Sequence, residues 1–217
     1  MSNFKLTEAE VLERDRIALE NVESQSEIAA IMAELGYDSE KITEGKGILT
    51  DTRTAFDSNK TEDDETSAAY AAFKSLSGQV ADAYSIHRKK AKVVFRKDSL
   101  TLDKLGINGS IPQAYVKWLE VVKKFYSVSN ADSDIQASLS RLRISIDDLN
   151  AASTQISDLE AARAEYLREK GESQDATKAK DAAFDILDDW MGEFFAVARI
   201  GLEDNPQLLE ALGKTVR

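Results

Sequence analysis

Apolar residues recur along this chain at three- and four-residue spacings, with polar positions between them. Tyr115, Trp118, Leu119, Val122, Phe125 and Tyr126 form an i, i+3, i+4, i+7 stripe, the mark of a helix with one buried side. Ile146, Leu149, Ala152, Ile156, Leu159 and Tyr166 keep helical spacing too. The clearest signal is Ala69, Phe73, Leu76, Val80, Ala83, His87 and Val94, a heptad-like rhythm answered later by Ala183, Leu187, Trp190, Phe194 and Val197. No stretch alternates apolar and polar with period two over strand length, so the chain reads as all-α.

Sliding the sequence against itself by 107 positions superposes similar residues from end to end. Ile28 falls on Ile135, Met32 on Leu139, Leu35 on Leu142, Ile42 on Leu149 and Ala91 on Ala198. The simplest account is a divergent tandem duplication, with residues 1–107 as the first helical-bundle repeat and 108–217 as the second. Each repeat is expected to be an up-down antiparallel bundle of three long helices and one short one.

Local signals place the elements. Thr7 with Glu10 is a capping-box start, and the helix it opens should reach about Leu35, weakening at Ser24-Gln25-Ser26 where small polar side chains compete for backbone hydrogen bonds. Its counterpart is expected to start at Ser110-Ile111-Pro112, since proline costs nothing in a first turn, and to weaken at residues 129–133. Second helices should start near Asp38-Ser39 and Ser145-Ile146, the earlier one weakened by Gly45 and Gly47 at about 1 kcal/mol each relative to Ala. The polar segments 57–65 and 169–174 read as loops before the third helices. Short fourth helices are expected near 100–105 and 206–212, with Gly106 and Gly213 as left-handed residues past their ends.

Composition narrows the chemistry. With no Cys and one His, there is no disulfide framework, thiolate zinc site or Cys nucleophile. The amino-terminal residues lack a signal-peptide pattern and no apolar run approaches the ~18 residues of a membrane span, so a soluble, cytoplasmic protein is expected. The net charge of −11 repels polyphosphate and anionic lipid at long range, which makes nucleic acid an improbable partner.

Few residues stand out as candidates. His87 falls on the seam; it would be a general base or metal ligand in a functional reading and a satisfied core histidine in the simpler one, because no Glu-x-x-His pair supports a di-iron bundle site. The segment from Asp57 begins like a calcium loop, yet the EF-hand's sixth and twelfth positions hold Glu62 and Ala68 instead of Gly and Glu. Trp118, Trp190, Phe194, Phe195, Phe125 and Tyr126 could line a pocket, although aromatic stripes at helical spacing are usually core. Gly106-Ile107-Asn108-Gly109-Ser110 lacks the Lys and spacing of a phosphate loop. No residue is nominated for catalysis, and no cofactor is implied. One cluster is unusual in so acidic a chain: Arg88, Lys89, Lys90, Lys92, Arg96 and Lys97 carry six positive charges with no acid among them. They could complement a helix C-terminal dipole and nearby carboxylates, dock an acidic surface of another copy, or bind phosphate or nucleic acid.

The segment from Asp188 to Ile200, with Gln207 to Gly213, Phe95-Arg96-Lys97-Asp98, residues 105–109 and Trp118-Leu119, resembles uncharacterised bacterial helical-bundle proteins of Bacteroidota type. The resemblance spans about half of the chain; it implies the helical-bundle fold and carries no catalytic residues. The expected function is therefore that of a non-enzymatic structural or scaffold protein that self-assembles through helical faces, as a filament, tube or other homo-oligomer. The alternative is a monomeric helical module that binds a small molecule or a protein partner.

Overall fold

The computed structural model describes residues 6–213, and among them the only regular elements are eight helices: α1 (Glu8–Ser24), α2 (Ser26–Glu34), α3 (Ser39–Val94), α4 (Ser99–Lys104), α5 (Tyr115–Ala131), α6 (Ser133–Ser140), α7 (Ile146–Gly201) and α8 (Leu208–Ala211). No helix among these residues is long and apolar enough to cross a membrane. The starts of α5, α6 and α7 lie 107 residues after those of α1, α2 and α3.

Helix starts follow the local chemistry. Glu10 N donates to Thr7 Oγ1 while Thr7 N donates to the Glu10 carboxylate at 2.7 Å, which closes the capping box of α1. Asp38 accepts from the amides of Glu40 and Lys41 at the start of α3, and Ser145 with Asp148 makes a reciprocal cap on α7. The breaks between α1 and α2 and between α5 and α6 fall at Gln25 and Asp132, both in extended backbone. Asp132 also caps α6 through the amides of Asp134 and Ile135. Gly106 and Gly213 take positive φ after α4 and α8, as expected of residues that end a helix in the left-handed region.

Three expectations are corrected. The segments 57–65 and 169–174 are helical, so the second and third helices of each half fuse into single 56-residue helices, α3 and α7. Polar composition alone marked them as loops, and 57–65 holds neither Gly nor Pro to break a helix. Hence Asp57 to Glu65 is not a loop, and the count of three long helices per repeat is replaced by one 56-residue helix and shorter companions. The third correction is at α5, which starts at Tyr115 from an N-cap at Ala114; Pro112 lies in the irregular segment before it.

The chain divides into two compact units. The first joins the chain up to Asp64 with the chain from Gly171 onward, and the second is Glu65–Lys170. Their borders lie inside α3 and α7, whereas the sequence halves meet at residue 107.

In the first unit, α1 and α2 pack on the amino-terminal part of α3 and the carboxy-terminal part of α7. Leu12, Leu19, Ile28, Met32, Leu187, Phe194 and Phe195 form its core. Thr52 Oγ1 donates to the Ala183 carbonyl at 3.1 Å, Asn59 Nδ2 to Thr177 Oγ1 at 3.1 Å, and Ser173 Oγ to Asp63 at 2.6 Å. Partners descend along α7 as α3 ascends, so the two segments run antiparallel. Trp190 fills a slot that only glycine can leave open: a Cβ on Gly45 would stand 2.4 Å from its ring.

The second unit is built alike from α5, α6, the rest of α3 and the start of α7. Val80, Tyr84, Leu105, Val122, Phe125, Tyr126, Leu139 and Leu149 are buried in its core. Lys123 reaches Glu160 at 2.9 Å and Asn130 reaches Ser153 at 2.9 Å, so α5 and α7 are antiparallel. Each unit thus draws on both halves of the sequence, because the fused helices cross between the units.

Candidate interaction surface

The six clustered cations do not act as one patch. Arg88 turns inward: its guanidinium donates to the Ile107 carbonyl at 3.1 Å and to the Gly109 carbonyl, pinning the turn between α4 and α5. Lys90 Nζ donates to the Arg143 carbonyl at 3.3 Å. Lys92 is half-buried and Lys89 exposed. Arg96 and Lys97, just past the end of α3, are exposed as well, and there they meet Arg141 at the end of α6. With Val93, Val94 and Leu142 they line a cleft of about 400 Å³.

Arg141 was not among the residues singled out from the sequence, since it lies far from the cluster along the chain. Its neighbour Arg143 is unusual as well, with φ at 58°. The turn after α6 requires this conformation: the amides of Arg143 and Ile144 return to the carbonyls of Ser140 and Leu139, a Schellman closure. The matching turn after α2 uses Gly36 at φ 89°, and its amide and that of Tyr37 return to Ala33 and Met32. A side-chain-bearing residue in that region costs about 1–2 kcal/mol, so the second unit holds an arginine where glycine is easier.

The electrostatics of the cleft are one-sided. Among the described residues, Arg96, Lys97 and Arg141 make no ion pair, in contrast to Arg16, which sits between Glu13 and Glu20 at 2.7 and 2.6 Å, and Lys180, which meets Glu8 at 2.7 Å. Two helix C-termini converge on the cleft, and their dipoles account for some of this charge at about 0.3–1 kcal/mol per cation.

His87 lies away from the cleft opening. Its Nδ1 shares a 2.9 Å hydrogen bond with the Tyr126 hydroxyl. Burial pushes the imidazole below its ordinary 6.5, opposed by the Asp148 carboxylate and aided by Lys90. Burial also raises the Tyr126 phenol. A neutral ring bonded to a core tyrosine fits the structural reading of this histidine.

The aromatic residues divide between the two cores. Trp190 stacks on Phe194 with centroids 5.7 Å apart, and Tyr37 meets both edge-on at 5.5 Å. Phe125 and Tyr126 pack with Tyr84, while Trp118 lies beside Tyr115. Phe195 is buried in the first core beneath the Arg14 guanidinium.

Comparison with protein-family models, with curated proteins and with solved structures finds no match for this chain.

Proposed function

We propose that this is a non-catalytic structural protein, derived from a tandem duplication, that assembles with copies of itself through helical faces. The observation that carries the reading is the cleft at the ends of α3 and α6, where Arg96, Lys97 and Arg141 stand without ion pairs among the described residues beside Val93, which is 59% exposed. In a chain of net charge −11, such a surface seeks carboxylates, and other copies supply them abundantly. The common 107-residue spacing of helix starts and the paired turns at Gly36 and Arg143 support the duplication.

Sedimentation velocity across protein concentration tests this reading. A weight-average mass that rises with concentration, and falls when salt shortens the screening length from ~10 Å at 0.1 M to ~3 Å at 1 M, is the expected result. A sharp monomer throughout refutes it. A second reading follows from the cleft's size, which lies within the range of small-ligand pockets: a small anion could occupy it. Calorimetric titration with inorganic phosphate at constant ionic strength separates that outcome from self-assembly.

A further inference from the structure

The two units carry the same surface with opposite charge. Counting 107 residues between halves, Arg96 corresponds to Glu203, Lys97 to Asp204 and Arg141 to Glu34. The apolar positions are kept: Val93 corresponds to Ile200 and Leu142 to Leu35. In the first unit these residues also gather at one place, because Gly201 at the end of α7 lies so close to α2 that a Cβ there would stand 2.7 Å from Leu35 and 2.9 Å from Ile31. Ile200 is 68% exposed and Leu35 43%; Glu34, Glu203 and Asp204 are exposed, and among the described residues none of the three forms an ion pair. A shared ancestral surface with charge reversed at three positions is what a contact between two different faces of the same chain requires.

We infer that the basic cleft of the second unit docks the acidic surface of the first unit on another copy, with Arg96, Lys97 and Arg141 against Glu34, Glu203 and Asp204 around the exposed Val93, Leu35 and Ile200. This deepens the self-assembly reading and rests on it. The contact is heterologous: each copy that uses its basic cleft still offers its acidic surface. Such contacts propagate into an open polymer unless the rotation between neighbours closes a ring. Like charges at each surface also disfavour the two self-pairings, basic on basic and acidic on acidic, that an uncharged repeat would permit.

Two full-length charge-reversal variants test the inference. One carries Arg96→Glu, Lys97→Asp and Arg141→Glu; the other carries Glu34→Arg, Glu203→Arg and Asp204→Lys. All six positions are exposed, and each variant is first checked by circular dichroism for the helical content of the parent. Each variant alone is expected to associate at least about tenfold more weakly than the parent in sedimentation equilibrium at low salt, and an equimolar mixture is expected to recover association, since every surface regains an opposite partner. Parent protein that associates while the variants do so equally well overturns this contact and leaves self-assembly standing. A mixture that fails to recover overturns the pairing as well. Parent protein that stays monomeric at all concentrations removes both readings together.

Discussion

Gly45 and Gly47 stand two residues apart in α3 with opposite roles. Gly45 is buried against the Trp190 ring, which is itself held by Tyr37 and Phe194 and has no cheap way to shift. Gly45→Ala is therefore expected to cost about 1–3 kcal/mol through overpacking. Gly47 is exposed, and a Cβ there meets nothing within 4 Å, so Gly47→Ala is expected to gain about 0.5–1 kcal/mol from the unfolded chain's lost freedom. Denaturant melts of the two variants should move in opposite directions. The sequence marks both glycines as helix weaknesses and has no means to tell them apart, because the difference is made by a tryptophan more than a hundred residues away. His87 gives the second test at this scale. Its folded-state pKa lies below its ordinary 6.5, so the unfolded chain binds the proton first: stability is full above about 6.5 and declines as pH falls below it. Chemical denaturation between pH 7.5 and 5 should show this decline, and His87→Phe, which installs the residue found at position 194, should flatten it in that window.

The caps of α1, α3 and α7 were legible because each depends on residues three apart in sequence, such as Thr7 with Glu10 and Ser145 with Asp148. The continuity of α3 and α7 was not. Residues such as Asn59 and Ser173 look like loop formers until their partners across the antiparallel neighbour are known, and those partners, Thr177 and Asp63, lie more than a hundred residues off. Asn59 occupies a seam position where an apolar residue would give more burial, and polar groups at such positions fix register at a cost in stability. Asn59→Leu should therefore raise stability by ~1 kcal/mol, read as a higher thermal midpoint, since Thr177 keeps its bond to the Ser173 carbonyl at 2.9 Å. The candidate surface was half legible for the same reason. Arg96 and Lys97 advertise themselves in a basic run, whereas Arg141 joins them only because α6 ends beside α3.

Over the whole molecule, the expected boundary at residue 107 follows the spacing of similar residues, while the compact units follow packing and exchange segments through the fused helices. The second unit, Glu65–Lys170, is a continuous stretch of chain, and the first draws on both sides of it. That nesting sets an order of events during synthesis. The apolar positions of α1 and α2, Leu12, Leu19, Ile28 and Met32, leave the ribosome long before Leu187, Phe194 and Phe195, which bury them. At ~5–20 residues per second, the early segment waits on the order of ten seconds, and the second unit has all of its chain before that wait ends. Pulsed hydrogen exchange during refolding of the intact protein should protect the amides of α5 and α6 before those of α1 and α2, because the second unit closes its contacts within one continuous stretch of chain while the first must join distant segments. Helices α1 and α2, made early and satisfied late, are the part of this chain that a holding chaperone would meet.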